Sequence, residues 1–103
     1  MKFSEEFSDF MNLEKTVKMG DALSNITRIK IIHLLNKNPM NIYEMAKTLN
    51  LSRPVIYTHL KKLEEADLVE SDLILEEARA KRIYKSKEFK FYIDNDKIDE
   101  FFK

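Results

Sequence analysis

The sequence predicts a mostly helical α+β domain in which a series of short helices is followed by a β-hairpin. Three observations carry this. Gly occurs once (Gly20) and Pro twice (Pro39, Pro54), too few turn formers for a strand-rich sandwich. Apolar residues recur at three- and four-residue spacing from Phe3 to Leu63, the period of amphipathic helices. After Asp67 the pattern changes to strand formers, Leu68-Val69 and Leu73-Ile74-Leu75.

The 103 residues suit one domain, 1–103, and a 44% hydrophobic share is enough for a core. Cys is absent, which excludes disulfides, thiolate metal sites and a Cys nucleophile. No apolar run reaches the length of a membrane span. Glu5 and Glu6 interrupt any signal-peptide pattern. A cytoplasmic protein without membrane contact is expected.

The elements follow in order. Phe3, Phe7 and Phe10 form a helical stripe at the start of an N-terminal helical region, 3–20, and Leu13, Val17, Gly20 and Leu23 line one side of a second stretch. Ser24 or Asn25 caps the next helix. Its inward stripe is Ile26, Ile29, Ile32 and Leu35, widened by Ile31 and Leu34. Lys37-Asn38-Pro39 ends it. Asn41 three residues before Glu44 is a capping-box arrangement. Ile42, Met45, Ala46 and Leu49 make a short amphipathic helix, which Asn50 closes in the left-handed conformation. Ser52 caps a helix over about 53–66, with Pro54 in the first turn and Ile56, Leu60 and Leu63 facing inward. A hairpin over 68–93 has Ile83, Tyr84 and an alternating Phe89, Phe91, Ile93 in its second strand. Asp94 or Asp96 caps a C-terminal helix, 94–103.

Segment 41–66 therefore places a short helix, a tight turn and a second helix directly before the hairpin. That order is a helix-turn-helix followed by a wing. Ala46 is small where the two helices cross, and Leu49 and Leu51 anchor the turn. With Ile56 and Leu60 turned to the core, the opposite face of the second helix carries Arg53, Val55, Tyr57, Thr58, Lys61 and Lys62, behind the cap Ser52.

Two runs carry a family resemblance. Leu23-Ser24-Asn25-Ile26-Thr27-Arg28-Ile29-Lys30-Ile31-Ile32, and the run from Leu51-Ser52-Arg53-Pro54-Val55-Ile56-Tyr57-Thr58-His59-Leu60-Lys61-Lys62-Leu63 to Val69, look like the corresponding stretches of ArsR-type winged-helix transcription regulators. The resemblance covers roughly 21–85. It implies a winged helix-turn-helix with terminal helices for dimerisation, and binding of double-stranded DNA. The chain departs from the pattern at Asp67, where the family usually has Gly. It also lacks an Asp-Gly at the wing tip, where Ala78-Arg79-Ala80-Lys81 implies a longer or looser turn. The Cys residues of the family's metal-sensing members are missing, so no metal or cofactor is expected.

Lys plus Arg and Asp plus Glu each number 18, a net charge of zero, which argues against strong non-specific nucleic-acid binding. The distribution is uneven: Arg79, Lys81, Arg82, Lys85 and Lys87 fall within nine residues that hold no acid. Directly after a helix-turn-helix, Arg79, Lys81 and Arg82 are the expected wing contacts to phosphates. Arg53 is the expected base reader, since Arg pairs bidentately with guanine. His59 and His33 are expected to pack against the core. The adjacent carboxylates Glu64-Glu65 and Glu76-Glu77 diverge and no nucleophile–base set is visible, so the chain is not expected to be an enzyme. Phe3, Phe7, Phe10, Ile98, Phe101 and Phe102 exceed the needs of a small core and are the expected dimer interface. The overall expectation is a sequence-specific homodimeric regulator that binds double-stranded DNA and acts as a repressor; a winged-helix protein-interaction module is the alternative.

Overall fold

The computed structural model describes residues 11–103. Five helices and one two-stranded antiparallel sheet occur among them: α1 Leu13–Leu23, α2 Ile26–Lys37, α3 Ile42–Leu49, α4 Arg53–Glu65, β1 Val69–Glu76, β2 Arg79–Ser86 and α5 Asn95–Glu100. Phe3, Phe7 and Phe10 lie outside the described residues.

Local side chains set the helix boundaries. Asn12, Asn25, Ser52 and Asp94 each accept a hydrogen bond from the backbone N–H three residues on, satisfying a donor that the helix leaves open. At α3 the box is reciprocal: Asn41 Oδ1 accepts from Glu44 N at 2.8 Å, and Glu44 Oε1 accepts from Asn41 N at 3.0 Å. Asn50 closes α3 at φ 55° and Asp67 follows α4 at φ 62°, both in the left-handed region that Asn and Asp tolerate.

Met19, Ile31, Met45, Ile56, Leu60, Leu63, Leu68 and Tyr84 are buried almost completely and join all the long elements in one core. Met40 adds a one-residue bridge at the base of the wing: its N–H donates to Tyr84 O at 3.0 Å, and Tyr84 N–H donates back to Met40 O at 2.8 Å.

One expected inward stripe, that of α2, turns partly elsewhere. In α2 the buried residues are Arg28, Ile31, Ile32 and Leu35, while Ile26 is 74% exposed and Ile29 also faces solvent. A strict three-residue repeat drifts around a helix; nine positions on, the side chain points about 180° away. In α1 the buried residues are Met19 and Ala22. Leu13 and Val17 are exposed, on the side opposite the core. His33 is exposed as well, because it sits on the outward side of α2 beyond the aliphatic face.

The wing is shorter and tighter than expected. Glu76 pairs with Arg79, so Glu77 and Ala78 alone make the turn, with positive φ of 49° and 62°. A two-residue hairpin of the primed type needs positive φ at both central positions. Register then ends β2 at Ser86, opposite Val69, and the segment Phe89 to Ile93 has no strand to pair with. It runs back over α1 instead: the Phe91 ring lies 3.9 Å from where a Cβ on Gly20 would stand.

The left-handed pair Glu77-Ala78 is strained for residues with a Cβ. Replacing it with Asn-Gly should raise the unfolding free energy by about 1–2 kcal/mol, measured by urea denaturation; an unchanged or lower midpoint would contradict the strain.

Candidate nucleic-acid interface

Helix α4 is held from behind and open in front. Ile56, Leu60 and Leu63 are fully buried. Arg53, Val55, Tyr57, Thr58, Lys61 and Lys62 are exposed, as the three-and-four spacing of the buried residues dictates. Ser52 caps the helix, and Thr58 Oγ1 donates to Pro54 O at 3.0 Å within it. Two cations on this face rest on aromatic rings: the Arg53 guanidinium carbon is 5.2 Å from the Tyr43 ring centroid, and Lys61 Nζ is 6.0 Å from that of Tyr57. Lys62 differs from the others on the outward face, because its Nζ is bound to Asp21 Oδ2 on α1 at 2.7 Å. The hydrogen bond and charge of Lys62 hold the Asp21 carboxyl below its ordinary range.

The rear anchorage centres on Arg28, which is only 8% exposed. Its Nε donates to Ala22 O at 2.8 Å and its Nη2 to Asp21 O at 3.0 Å. Its Nη1 lies 3.2 Å from His59 Nδ1. Arg carries no acceptor and stays protonated, so this His59 nitrogen must be the acceptor and the ring is neutral with its proton on Nε2. Burial, and then the nearby Arg28 charge, hold His59 below its ordinary value near 6.5. His59 is half-buried between α4 and this guanidinium.

The wing distributes its charge differently from the linear sequence. Side chains alternate across a strand, so Arg79 and Lys81 share one face while Arg82 lies on the other, donating to Ser71 Oγ at 3.0 Å. Lys85 pairs with Glu70 at 3.2 Å and Asp72 at 3.7 Å. Lys87 pairs with Asp67 and Glu70. The hydrogen bonds and charges of these carboxylates raise both lysines above their ordinary values. Antiparallel pairing has thus set the acids of β1 and its approach against the bases of β2. Arg79, Lys81 and Arg82 are the cations left toward the tip. They are accompanied by exposed Leu73, Ile74 and Leu75, the last 78% exposed.

At the C-terminal end, Ile98 and Phe102 are exposed and Phe101 is half-buried, with Lys97 Nζ 5.3 Å from the Phe101 ring centroid. Together with Leu13 and Val17 they are apolar surface on the terminal elements. Among the described residues, no group of three or more His, Asp or Glu could hold a metal ion, and no helix is long and apolar enough to cross a membrane.

Sequence reasoning missed Arg28 and Tyr43. Arg28 stands in the first turn of α2 on the same side as Ile31, Ile32 and Leu35, where a buried charge is tolerated only as a multiply bonded guanidinium. Tyr43 was signalled by its place off the Ile42-Met45-Ala46-Leu49 face of α3.

Residues 25–71 match the family described as bacterial regulatory protein, arsR family. The chain is 68% identical over 92 residues to an uncharacterized HTH-type transcriptional regulator of Methanocaldococcus jannaschii, covering 89% of this chain and 97% of that one. Among solved structures, the reduced form of the transcriptional regulator YodB from B. subtilis is 28% identical, with a TM-score of 0.63 over 76% of each chain. HlyU from Vibrio cholerae is 25% identical, with a TM-score of 0.62 over 73% of this chain and 77% of that one. A homodimeric winged helix-turn-helix DNA-binding domain from Mycobacterium bovis, a possible ArsR-family transcriptional regulator, shares the fold at 23% identity, with a TM-score of 0.64 over 72% of this chain and 65% of that one.

The depressed His59 value makes stability depend on pH in a definite direction. The unfolded chain takes up this proton first as pH falls, so stability is full above about 6.5 and declines as pH drops toward the folded-state value. Asn at position 59 offers Arg28 an acceptor and does not titrate. His59→Asn should therefore flatten the pH dependence of the denaturation midpoint between about pH 7 and 5; an identical slope in both proteins would place its source elsewhere.

Proposed function

Because the chain belongs to the ArsR family of bacterial regulatory proteins, and is a transcriptional regulator rather than an enzyme, we propose that it binds double-stranded DNA sequence-specifically as a homodimer and represses by occluding the promoter. The observation that carries this reading is the outward face of α4. Arg53, Val55, Tyr57, Thr58 and Lys61 are presented to solvent at the front of a helix whose rear is locked into the core. A recognition helix enters the major groove with its N-terminal residues on base edges. Arg53 stands at the first position of α4 and is the base reader. Lys61 contacts phosphate, and Ser52 lies at the helix N-terminus where phosphate is favoured. Lys62 serves chiefly to hold α4 to α1 through Asp21.

The wing contributes backbone contacts through Arg79 and Lys81 on one face or Arg82 on the other. Its neutralised base leaves a modest electrostatic share. The dimer forms through exposed Leu13 and Val17 of α1 with Ile98, Phe101 and Phe102, joined by Phe3, Phe7 and Phe10. A two-fold pair would set two α4 helices about one DNA turn, roughly 34 Å, apart. The protein acts in the cytoplasm and uses no metal or cofactor. The exposed Leu73-Ile74-Leu75 tip favours one second reading, a protein-interaction module that meets its partner through the wing.

Fluorescence anisotropy on duplex pools tests the division of labour. Arg53→Ala should cost about 1–3 kcal/mol at one base position and relax preference there. Lys81→Ala should weaken all sequences alike and reduce the salt slope by about one unit. Equal effects of both variants on specificity would refute the assignment, and absence of binding at low salt would favour the protein partner.

Sedimentation equilibrium at tens of micromolar should give a dimer for the wild type and a shift toward monomer for Val17→Glu. A monomeric wild type would remove the dimer.

A further inference from the structure

Resting on the reading of α4 as the DNA-reading helix, we propose that Tyr43 is a positioning residue that fixes the Arg53 guanidinium and thereby sets the base preference of the site. Tyr43 lies in the first turn of α3, outside the hydrophobic core, and is 54% exposed. The inward face of α3 is filled without it: Met45 and Ala46 are buried, and Ile42 and Leu49 are half-buried. A large aromatic on a surface helix therefore has the Arg53 side chain as its neighbour across the turn, 5.2 Å from guanidinium carbon to ring centroid.

The chemistry of the contact matters. Among the described residues, Arg53 forms no salt bridge with a carboxylate. A carboxylate would occupy the N–H donors that read a base. An aromatic ring competes far less for those donors than a carboxylate does, and so leaves them available to a base edge. Arg is also rich in rotamers, and its freedom must be given up on binding. A side chain already resting on Tyr43 loses less freedom when it meets a base edge. Asn50 and Ser52, which fix the turn, also fix the distance between the two partners, since the left-handed Asn50 closes α3 and Ser52 opens α4. The pair is thus a product of the helix-turn-helix geometry and of two side chains, one from each helix.

The test compares Tyr43→Leu, Tyr43→Phe, Arg53→Ala and the Tyr43→Leu/Arg53→Ala double variant, each shown by thermal melting to be folded. Base preference is measured on a randomised duplex library, and Arg53 Nε–Hε order in the free protein by 15N relaxation. Tyr43→Leu should lower Nε order and reduce discrimination about two- to fivefold at the base position that Arg53→Ala affects. It should leave affinity for non-specific duplex unchanged. Tyr43→Phe should match wild type, and Tyr43→Leu should add nothing in the Arg53→Ala background. Unchanged Nε order in Tyr43→Leu overturns the proposal. So does a loss that is equal on all sequences and persists without Arg53, which would make Tyr43 a direct DNA contact. If Arg53→Ala leaves preference intact, the reading of α4 fails at that residue, while the order measurement still decides whether Tyr43 holds it.

Discussion

The guanidinium of Arg28 is the contact on which the arrangement of the helices depends. It is a permanent charge in a nearly solvent-free position, and such a charge is tolerated only when its donors are met. The acceptors come from different places: two main-chain carbonyls at the end of α1 and the imidazole of α4. The carbonyls of Asp21 and Ala22 lie in the last turn of α1, which runs out of intrahelical donors; Ser24 N and Oγ donate to Asp21 O, and Arg28 adds a donor to each carbonyl while fixing α4 against them. Asp21 reinforces the same junction through Lys62. The front face of α4 is aimed as it is because its back is tied at this point.

The parts of the fold that were legible in the sequence are those governed by neighbours in the chain. Asn25, Asn41 with Glu44, Asn50, Ser52, Asp67 and Asp94 act within a few residues of themselves, and all do what their chemistry predicts. The face of α4 was legible for the same reason, because Ile56, Leu60 and Leu63 follow the helical period closely. Ile26 and Ile29 were misleading because α2 carries aliphatics on more than one side, and only the packing partners choose among them. Phe89 to Ile93 looked like a strand because alternation is a local property, whereas pairing is not. Glu77 and Ala78 ended the ladder early, and β1 had no residues left to offer.

The candidate site shows the same division. The exposed residues of α4 could be named in advance, but the ion pairs that modify them could not. Lys62 meets Asp21 across 41 positions of sequence, and Lys87 meets Asp67 across 20. A linear count credits the segment 79–87 with five free cations. In the folded hairpin Lys85 and Lys87 face carboxylates that the count assigned to a different segment.

Asp67 gives the connection between α4 and β1 a particular mechanical character. It adopts φ 62° in place of a freer glycine, its carboxylate binds Lys87 just beyond β2, and Lys87 N–H donates to Leu68 O at 3.0 Å. The hinge between helix and wing is therefore cross-braced rather than pliant. Its freedom is surrendered during folding and does not have to be surrendered again at association. A rigid caliper of this kind favours partners whose shape already matches the fixed gap between its two arms, and gains little from those that must bend to fit.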